Sequence, residues 1–165
     1  MLVDEFKGKK FYIAYGSNLH IEQMQERCKD AELLGTATLT DHCLEYRGSV
    51  GRAYLTIKQS PMGTGESLPL AVWLTSAEDE LALDDYEDYP ELYYKTAYKV
   101  NLDEVFPEFT KVFKQGDAIT AYTYVMQEDK IPARPTDEYI EVCKAGYDNF
   151  GFDKKILDEA LEKLG

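Results

Sequence analysis

The first apolar run of the chain, residues 11–15 (Phe-Tyr-Ile-Ala-Tyr), carries no charge and reads as a strand buried on both faces. Gly16 breaks it. Ser17 and Asn18 then offer side-chain oxygens where a helix over residues 19–29 begins. That helix puts Ile21, Met24 and Cys28 on one face and Glu22, Gln25, Glu26 and Arg27 on the other. Strands are predicted over 33–39, 43–46, 53–57 and 70–74, with Thr40-Asp41-His42 as a turn and 48–51 and 60–65 as loops. Thr75 opens a capping box with Glu78, and the short helix behind it sets Ala77, Leu81 and Asp84 or Asp85 on one face until Pro90 stops it. Strands over 93–100 and 118–126 follow, then a loop at Pro132 and Pro135. Thr136 caps a helix reaching about Asn149, and Asp153 caps a last one beyond Gly151. Strands cluster in the middle without regular β-α-β alternation, which predicts an α+β fold with a mixed, curled sheet.

Length changes this picture little: 165 residues suit one domain, 1–165, with its own core. No apolar run approaches the ~20 residues that cross a bilayer. Residues 1–10 have no hydrophobic leader segment, so a cytoplasmic location is expected. Charge narrows the partners. Asp and Glu total 31 against 18 Lys and Arg, a net charge of −13 that repels phosphate backbones and anionic lipid, so neither nucleic acid nor membrane is expected. Cys28, Cys43 and Cys143 are odd in number, far apart and free of a CxxC pair, and read as reduced, mostly buried thiols. His20 and His42 lack ligand spacing, so no metal site is expected. The 13 tyrosines read mainly as core and sheet residues, the alternative for some being the lining of a small-ligand pocket.

Two stretches carry candidate chemistry. A sharp turn at Gly16 ahead of the free N–H groups of a helix start is an anion-holding corner, or simply a well-capped strand–turn–helix. Residues 84–91 hold five carboxylates and two tyrosines. Such a run is ordinarily a solvated helix end. The functional reading is one carboxylate buried beside like charges, with a raised pKa suited to general acid–base work. Glu87 is the candidate, pointing inward while Asp85 and Asp88 face water. Ser17 has no partnered His and acid, and the turn lacks the Gly spacing and Lys of a nucleotide loop.

Tyr15-Gly16-Ser17-Asn18-Leu19 behind an apolar strand resembles the signature of the γ-glutamylcyclotransferase-like family. Ala71-Val72-Trp73, Leu83-Asp84-Asp85-Tyr86-Glu87 followed by Tyr93, the strand at 121–126 and Pro135-Thr136-Asp137-Glu138-Tyr139 extend the likeness over nearly the whole chain. The resemblance implies a small mixed β-barrel flanked by helices, with a pocket at its mouth and no cofactor or metal. It implies a small-molecule γ-glutamyl substrate whose α-amine attacks its own γ-carbonyl, releasing 5-oxoproline and an amino acid or amine. By the same resemblance Glu87 is the catalytic acid–base. Tyr15, Gly16, Ser17, Asn18 and Leu19, with Tyr93, Tyr124 and Tyr139, are the substrate-binding residues. The chain departs from the family pattern at Asp88-Tyr89-Pro90, where well-known members have a Gly, which bears on substrate choice. Arg52 pairs with a substrate carboxylate or with a surface acid. A non-catalytic module binding γ-glutamyl-type molecules is the alternative, and an acidic interaction domain a third. The oligomeric state is not legible.

Overall fold

The computed structural model describes residues 8–61 and 63–165. Residues 1–7 of the stretch read for a leader, and Met62 in the loop over 60–65, lie outside them.

The fold grows around its least polar strand. β5 (Ser67–Thr75) is an unbroken apolar run, and Leu70, Ala71, Val72 and Trp73 are all fully buried. Such a strand must be covered on both faces and paired at both edges. β1 (Lys10–Ala14) runs antiparallel along one edge, Lys10 opposite Thr75 and Ala14 opposite Ala71. β2 (Glu32–Thr40) runs antiparallel along the other, with a register shift between Leu33 and Gly35. β6 (Tyr93–Val105) and β7 (Ala118–Met126) complete a closed barrel in the order β1-β5-β2-β6-β7, sealed by a parallel pairing of β1 with β7 at Tyr12 and Tyr122. Closure removes the sheet edges that would otherwise need covering. A smaller sheet stands beside the barrel: β3 (His42–Ser49) lies between β4 (Arg52–Gln59) and the two-residue β8 (Ile131–Pro132). The expected α+β barrel with flanking helices is what the chain forms.

The helices are α1 (Ile21–Arg27), α2 (Ala77–Tyr86), α3 (Asp137–Phe150) and α4 (Lys155–Glu162). Several local expectations are corrected. α1 is capped by His20, whose Nδ1 accepts from the Gln23 amide at 3.2 Å, and not by Ser17 or Asn18, which lie in a separate 3₁₀ turn, Ser17–Leu19. The capping box of α2 belongs to Ser76 and Asp79, one residue beyond Thr75 and Glu78. Thr75 stays in β5 because its hydroxyl bonds Tyr122 Oη at 2.7 Å. The inner face of α2 is Asp79 and Leu83, while Leu81 is 68% exposed. Gly48 and Ser49 extend β3 rather than forming a loop, and β8 sits inside the predicted loop at Pro132. β6 runs on to Val105, its later residues pairing with β2 after its first part has paired with β7. Thr136 caps α3 as expected, accepting from the Tyr139 amide at 3.2 Å, and Gly151 ends it with φ 68°. The cap of α4 is Lys154, which makes no side-chain capping bond, and not Asp153, although Asp153 just before it accepts from the Lys155 amide at 3.0 Å.

One close approach sets the position of the 3₁₀ turn. A Cβ on Gly146 of α3 would lie 2.7 Å from Leu19 Cβ and 2.8 Å from the His20 nitrogen. Helix and turn therefore meet backbone to backbone, and Leu19 is buried completely in the contact. Gly146→Ala is expected to destabilise the protein by about 1–3 kcal/mol in urea denaturation, because packed backbone cannot move aside cheaply; an unchanged midpoint would show that the contact yields.

Candidate active site

β1 delivers the chain to the barrel mouth, where Tyr15 and Gly16 turn it into the 3₁₀ segment. The Leu19 and His20 amides close that segment onto the carbonyls of Gly16 and Ser17, each at 3.0 Å. The Ser17 and Asn18 amides stand at its head, ahead of these first bonds, where a helix start leaves donors without internal partners. Gly16 does not need left-handed backbone here; its φ is −131°. It supplies space, since a Cβ would touch Leu55 at 3.4 Å and lie 3.6 Å from Tyr139 Oη.

Across from this turn, α2 ends at Tyr86, and Glu87 follows with φ −85° and ψ 0°, the bridge region in which active-site residues often sit. The Glu87 amide still bonds back to Leu83, at 2.9 Å. Glu87 is half-buried, whereas Asp85 and Asp88 are exposed. Its side chain enters a recess whose walls include Tyr15, Gly16, Ser17, Asn18, Tyr93, Tyr124 and Tyr139. Desolvation pushes the Glu87 carboxyl from its ordinary value of 4.5 up to about 8, with the Arg27 cation pulling the other way. Asn18 Nδ2 donates to Glu87 Oε1 at 3.4 Å and to Tyr12 Oη at 2.9 Å.

The tyrosine hydroxyls are largely committed to the scaffold. Tyr15 donates to the Tyr124 carbonyl at 2.6 Å, Tyr93 to the Leu55 carbonyl at 2.7 Å, and Tyr124 to Asp84 Oδ1 at 2.6 Å. Tyr139 Oη accepts from the Leu55 amide at 3.1 Å. These rings shape the recess and tie α2, α3 and β4 around it. Burial raises the Tyr12, Tyr15, Tyr93 and Tyr139 pKa values well above their ordinary value, so all four stay neutral. Lys95 anchors the far side of α2, reaching Glu80 at 2.7 Å and Asp84 at 2.9 Å.

The structure thus gathers Tyr15, Gly16, Ser17, Asn18, Glu87, Tyr93, Tyr124 and Tyr139 around one recess. Leu19 is not among its walls; it lies in the core beneath α3. Sequence reasoning passed over Tyr12, Leu55 and Thr123, which also line the recess. Tyr12 is one strand residue before a buried position and gave no signal apart from its polar tip. Arg52 makes no ion pair among the described residues. It lines a second recess with Lys130, Asp88 and Glu91. That recess adjoins the first: Tyr54, Asp88 and Leu92 line it, while their chain neighbours Leu55, Glu87 and Tyr93 line the other. Among the described residues no cluster of His, Cys, Asp and Glu is arranged to hold a metal ion, and no helix is long and apolar enough to cross a membrane.

The closed barrel thus sets a desolvated carboxylate against a Gly-Ser-Asn turn. The model of the family described as gamma-glutamyl cyclotransferase, AIG2-like, matches residues 12–142, and the chain belongs to that family. No curated protein matches it by sequence. Among solved structures, a gamma-glutamyl cyclotransferase is 24% identical, with a TM-score of 0.72 over 92% of this chain and 86% of its own. A human protein described as uncharacterised is 25% identical, with a TM-score of 0.74 over 93% of this chain and 87% of its own. A yeast gamma-glutamyl cyclotransferase specific to glutathione shares the fold at 9% identity, with a TM-score of 0.64 over 94% of this chain and 97% of its own.

Proposed function

We propose that the protein is a γ-glutamyl cyclotransferase that releases 5-oxoproline and an amino acid or amine from a small γ-glutamyl compound. The observation that carries this reading is Glu87, held in a recess opposite the Tyr15-Gly16-Ser17-Asn18 turn with its pKa raised to about 8. The α-ammonium of a peptide has an ordinary pKa of about 8, and beside the free α-carboxylate of a γ-glutamyl group it lies higher. Raising the Glu87 pKa narrows the gap across which the proton must move, which is what acid–base catalysis near neutrality requires.

In this mechanism the carboxylate of Glu87 takes a proton from the substrate α-ammonium. The freed amine attacks the γ-carbonyl carbon, forming the ring C–N bond. Negative charge gathers on the carbonyl oxygen, and the Ser17 and Asn18 amides with Asn18 Nδ2 are the nearby donors to hold it. The original amide C–N bond then breaks as Glu87 returns its proton to the leaving nitrogen, and the surplus proton on the new ring nitrogen passes through Glu87 to the departing amine, which leaves as an ammonium. The nucleophile belongs to the substrate, so no activated Ser or Cys is needed. The γ-glutamyl group is placed against Glu87 in the first recess, and the leaving group extends toward the recess with Arg52 and Lys130.

The test is mass-spectrometric detection of 5-oxoproline from a panel of γ-glutamyl dipeptides and γ-glutamyl amines. Product identifies the reaction and the best substrate its leaving group. Tight calorimetric binding without product would convert the reading to a non-catalytic binding module. The pH profile is a second check. The log of kcat/KM is expected to fall on the acid side below about 8, where free Glu87 becomes protonated. It should fall again on the alkaline side, where the substrate amine has no proton left to pass on. A flat profile between pH 6 and 9 would contradict the role of Glu87.

A further inference from the structure

Arg27 closes α1 and by helical spacing belongs to its polar face. It is nevertheless half-buried. Its guanidinium donates through Nη1 to Asn18 Oδ1, and its Cζ lies 3.4 Å from the centroid of the Tyr86 ring. Each partner touches the site. Asn18 is buried in the recess wall, and Tyr86 Oη shares a 2.9 Å hydrogen bond with Ser17 Oγ.

The first contact decides an orientation. An Asn amide can turn over, exchanging oxygen and nitrogen with almost no change of shape. A guanidinium has donors only, so the Asn18 oxygen must face Arg27. The nitrogen then faces Tyr12 Oη and Glu87 Oε1. Without Arg27 the amide is free to turn, and a turned amide sets its oxygen against the Glu87 carboxylate. The second contact is a planar cation flat on an aromatic face, which an ammonium cannot reproduce.

We propose that Arg27 is a positioning residue for this site: it locks the Asn18 amide with its nitrogen toward Glu87 and steadies the Tyr86–Ser17 hydrogen bond at the rim. Its effect on turnover rests on the acid–base role proposed for Glu87; the locking of Asn18 does not. Electrostatics agree with the geometry. Glu87 adds to the upward shift of Tyr12 on β1, Tyr15 beyond it, Tyr86 on α2, Tyr93 on β6 and Tyr139 on α3, while the charge that acts on Glu87 itself is Arg27. The tyrosines are shifted upward and stay neutral through the physiological range. Arg27 is the formal charge in the set, and it opposes the desolvation of Glu87.

The test uses the full chain with Arg27→Met, Arg27→Lys and Arg27→Ala, following the Glu87 carboxyl carbon by NMR titration without substrate. In Arg27→Met the Glu87 midpoint is expected to rise by about one pH unit, the effect of losing a nearby opposite charge. Arg27→Lys keeps a charge and should move it less. Both should lose about tenfold or more in kcat with a smaller change in KM, the scale of one misplaced hydrogen bond. Millimolar guanidinium ion should restore turnover to Arg27→Ala, and methylammonium should not. An Arg27→Met protein with native near-UV circular dichroism, an unshifted Glu87 midpoint and wild-type Asn18 side-chain resonances overturns the proposal. So does Arg27→Lys with wild-type kcat. A wild type that makes no 5-oxoproline, while the Arg27→Met titration moves as stated, refutes the cyclotransferase reading and supports the positioning role.

Discussion

Glu87→Gln is expected to fold normally and to lose about 10²- to 10⁴-fold of its 5-oxoproline-forming activity, the usual contribution of a positioned acid–base group. Gln has the same shape as Glu, and its side-chain oxygen can still accept the proton of Asn18 Nδ2. What it cannot do is exchange a proton at neutral pH. The substitution therefore separates proton transfer from packing and from recess geometry. Asp85→Asn is the matched control, because its carboxylate is exposed and lines neither recess. It should retain wild-type kcat. The measurement is product formation by mass spectrometry, with near-UV circular dichroism on each variant. A Glu87→Gln protein retaining more than a tenth of wild-type activity would sink the acid–base role.

The same substitution should make the protein more stable in alkaline solution. The Glu87 carboxyl has a folded pKa of about 8 against an ordinary value of 4.5. Below about pH 4.5 it is protonated in both the folded and the unfolded chain, and imposes no penalty. As pH rises from there, the unfolded chain releases its proton first while the folded state keeps it. The unfolded state then binds fewer protons, so stability falls with pH until the folded group also ionises near 8. Above that the penalty is complete and constant. Glu87→Gln removes it, giving a gain at pH 8.5 of the order of a few kcal/mol at most, reduced because the half-buried group retains some solvent. Near pH 4.5 the gain should be close to zero. Urea denaturation of both proteins at the two pH values measures the difference. An equal gain at both would mean that Glu87 is not held at a raised pKa in the folded state.

The two expectations share a cause. Holding a carboxylate out of water readies it for proton exchange near neutrality and strains the folded state over the same pH range. Residues that pay this cost in stability are often functional, which is why Glu87 stands out from its neighbours. Composition alone gives no such distinction, since five carboxylates in eight residues look alike. Helical spacing from Leu83 singles out Glu87, and the end of α2 does place it toward the recess and Asp85 and Asp88 toward water.

Local pattern carried the elements well where burial is simple. Alternation and β-branched residues together predict the strand at 118–126 with the ends that it has in the structure. Thr136 was read as a cap because the chemistry of capping lies within four residues. The same reasoning misplaced the caps of α1 and α2, where neighbouring side chains are equally capable. Thr75 and Ser76 both present a hydroxyl, and the choice fell to Ser76 because Tyr122, from a distant strand, holds Thr75 in β5. Ser17 and Asn18 resemble cap residues for the same reason, yet their side chains are spent on Tyr86, Tyr12, Glu87 and Arg27. The extension of β6 past Val100 was missed because Asn101, Asp103 and Glu104 look unlike a strand; pairing with β2 overrides that preference.

What the sequence by itself determined is everything whose cause is local or compositional: the strands and helices, the α+β class, the Tyr-Gly-Ser-Asn turn and the acidic run that contains Glu87. Tertiary structure alone decided which residues meet. Barrel closure brought Glu87 opposite a turn about 70 positions earlier in the chain, Gly146 set how closely that turn packs, and Arg27 left its polar face to orient Asn18. Those outcomes depend on distances and desolvation between segments remote in sequence, and no local pattern of residues encodes either.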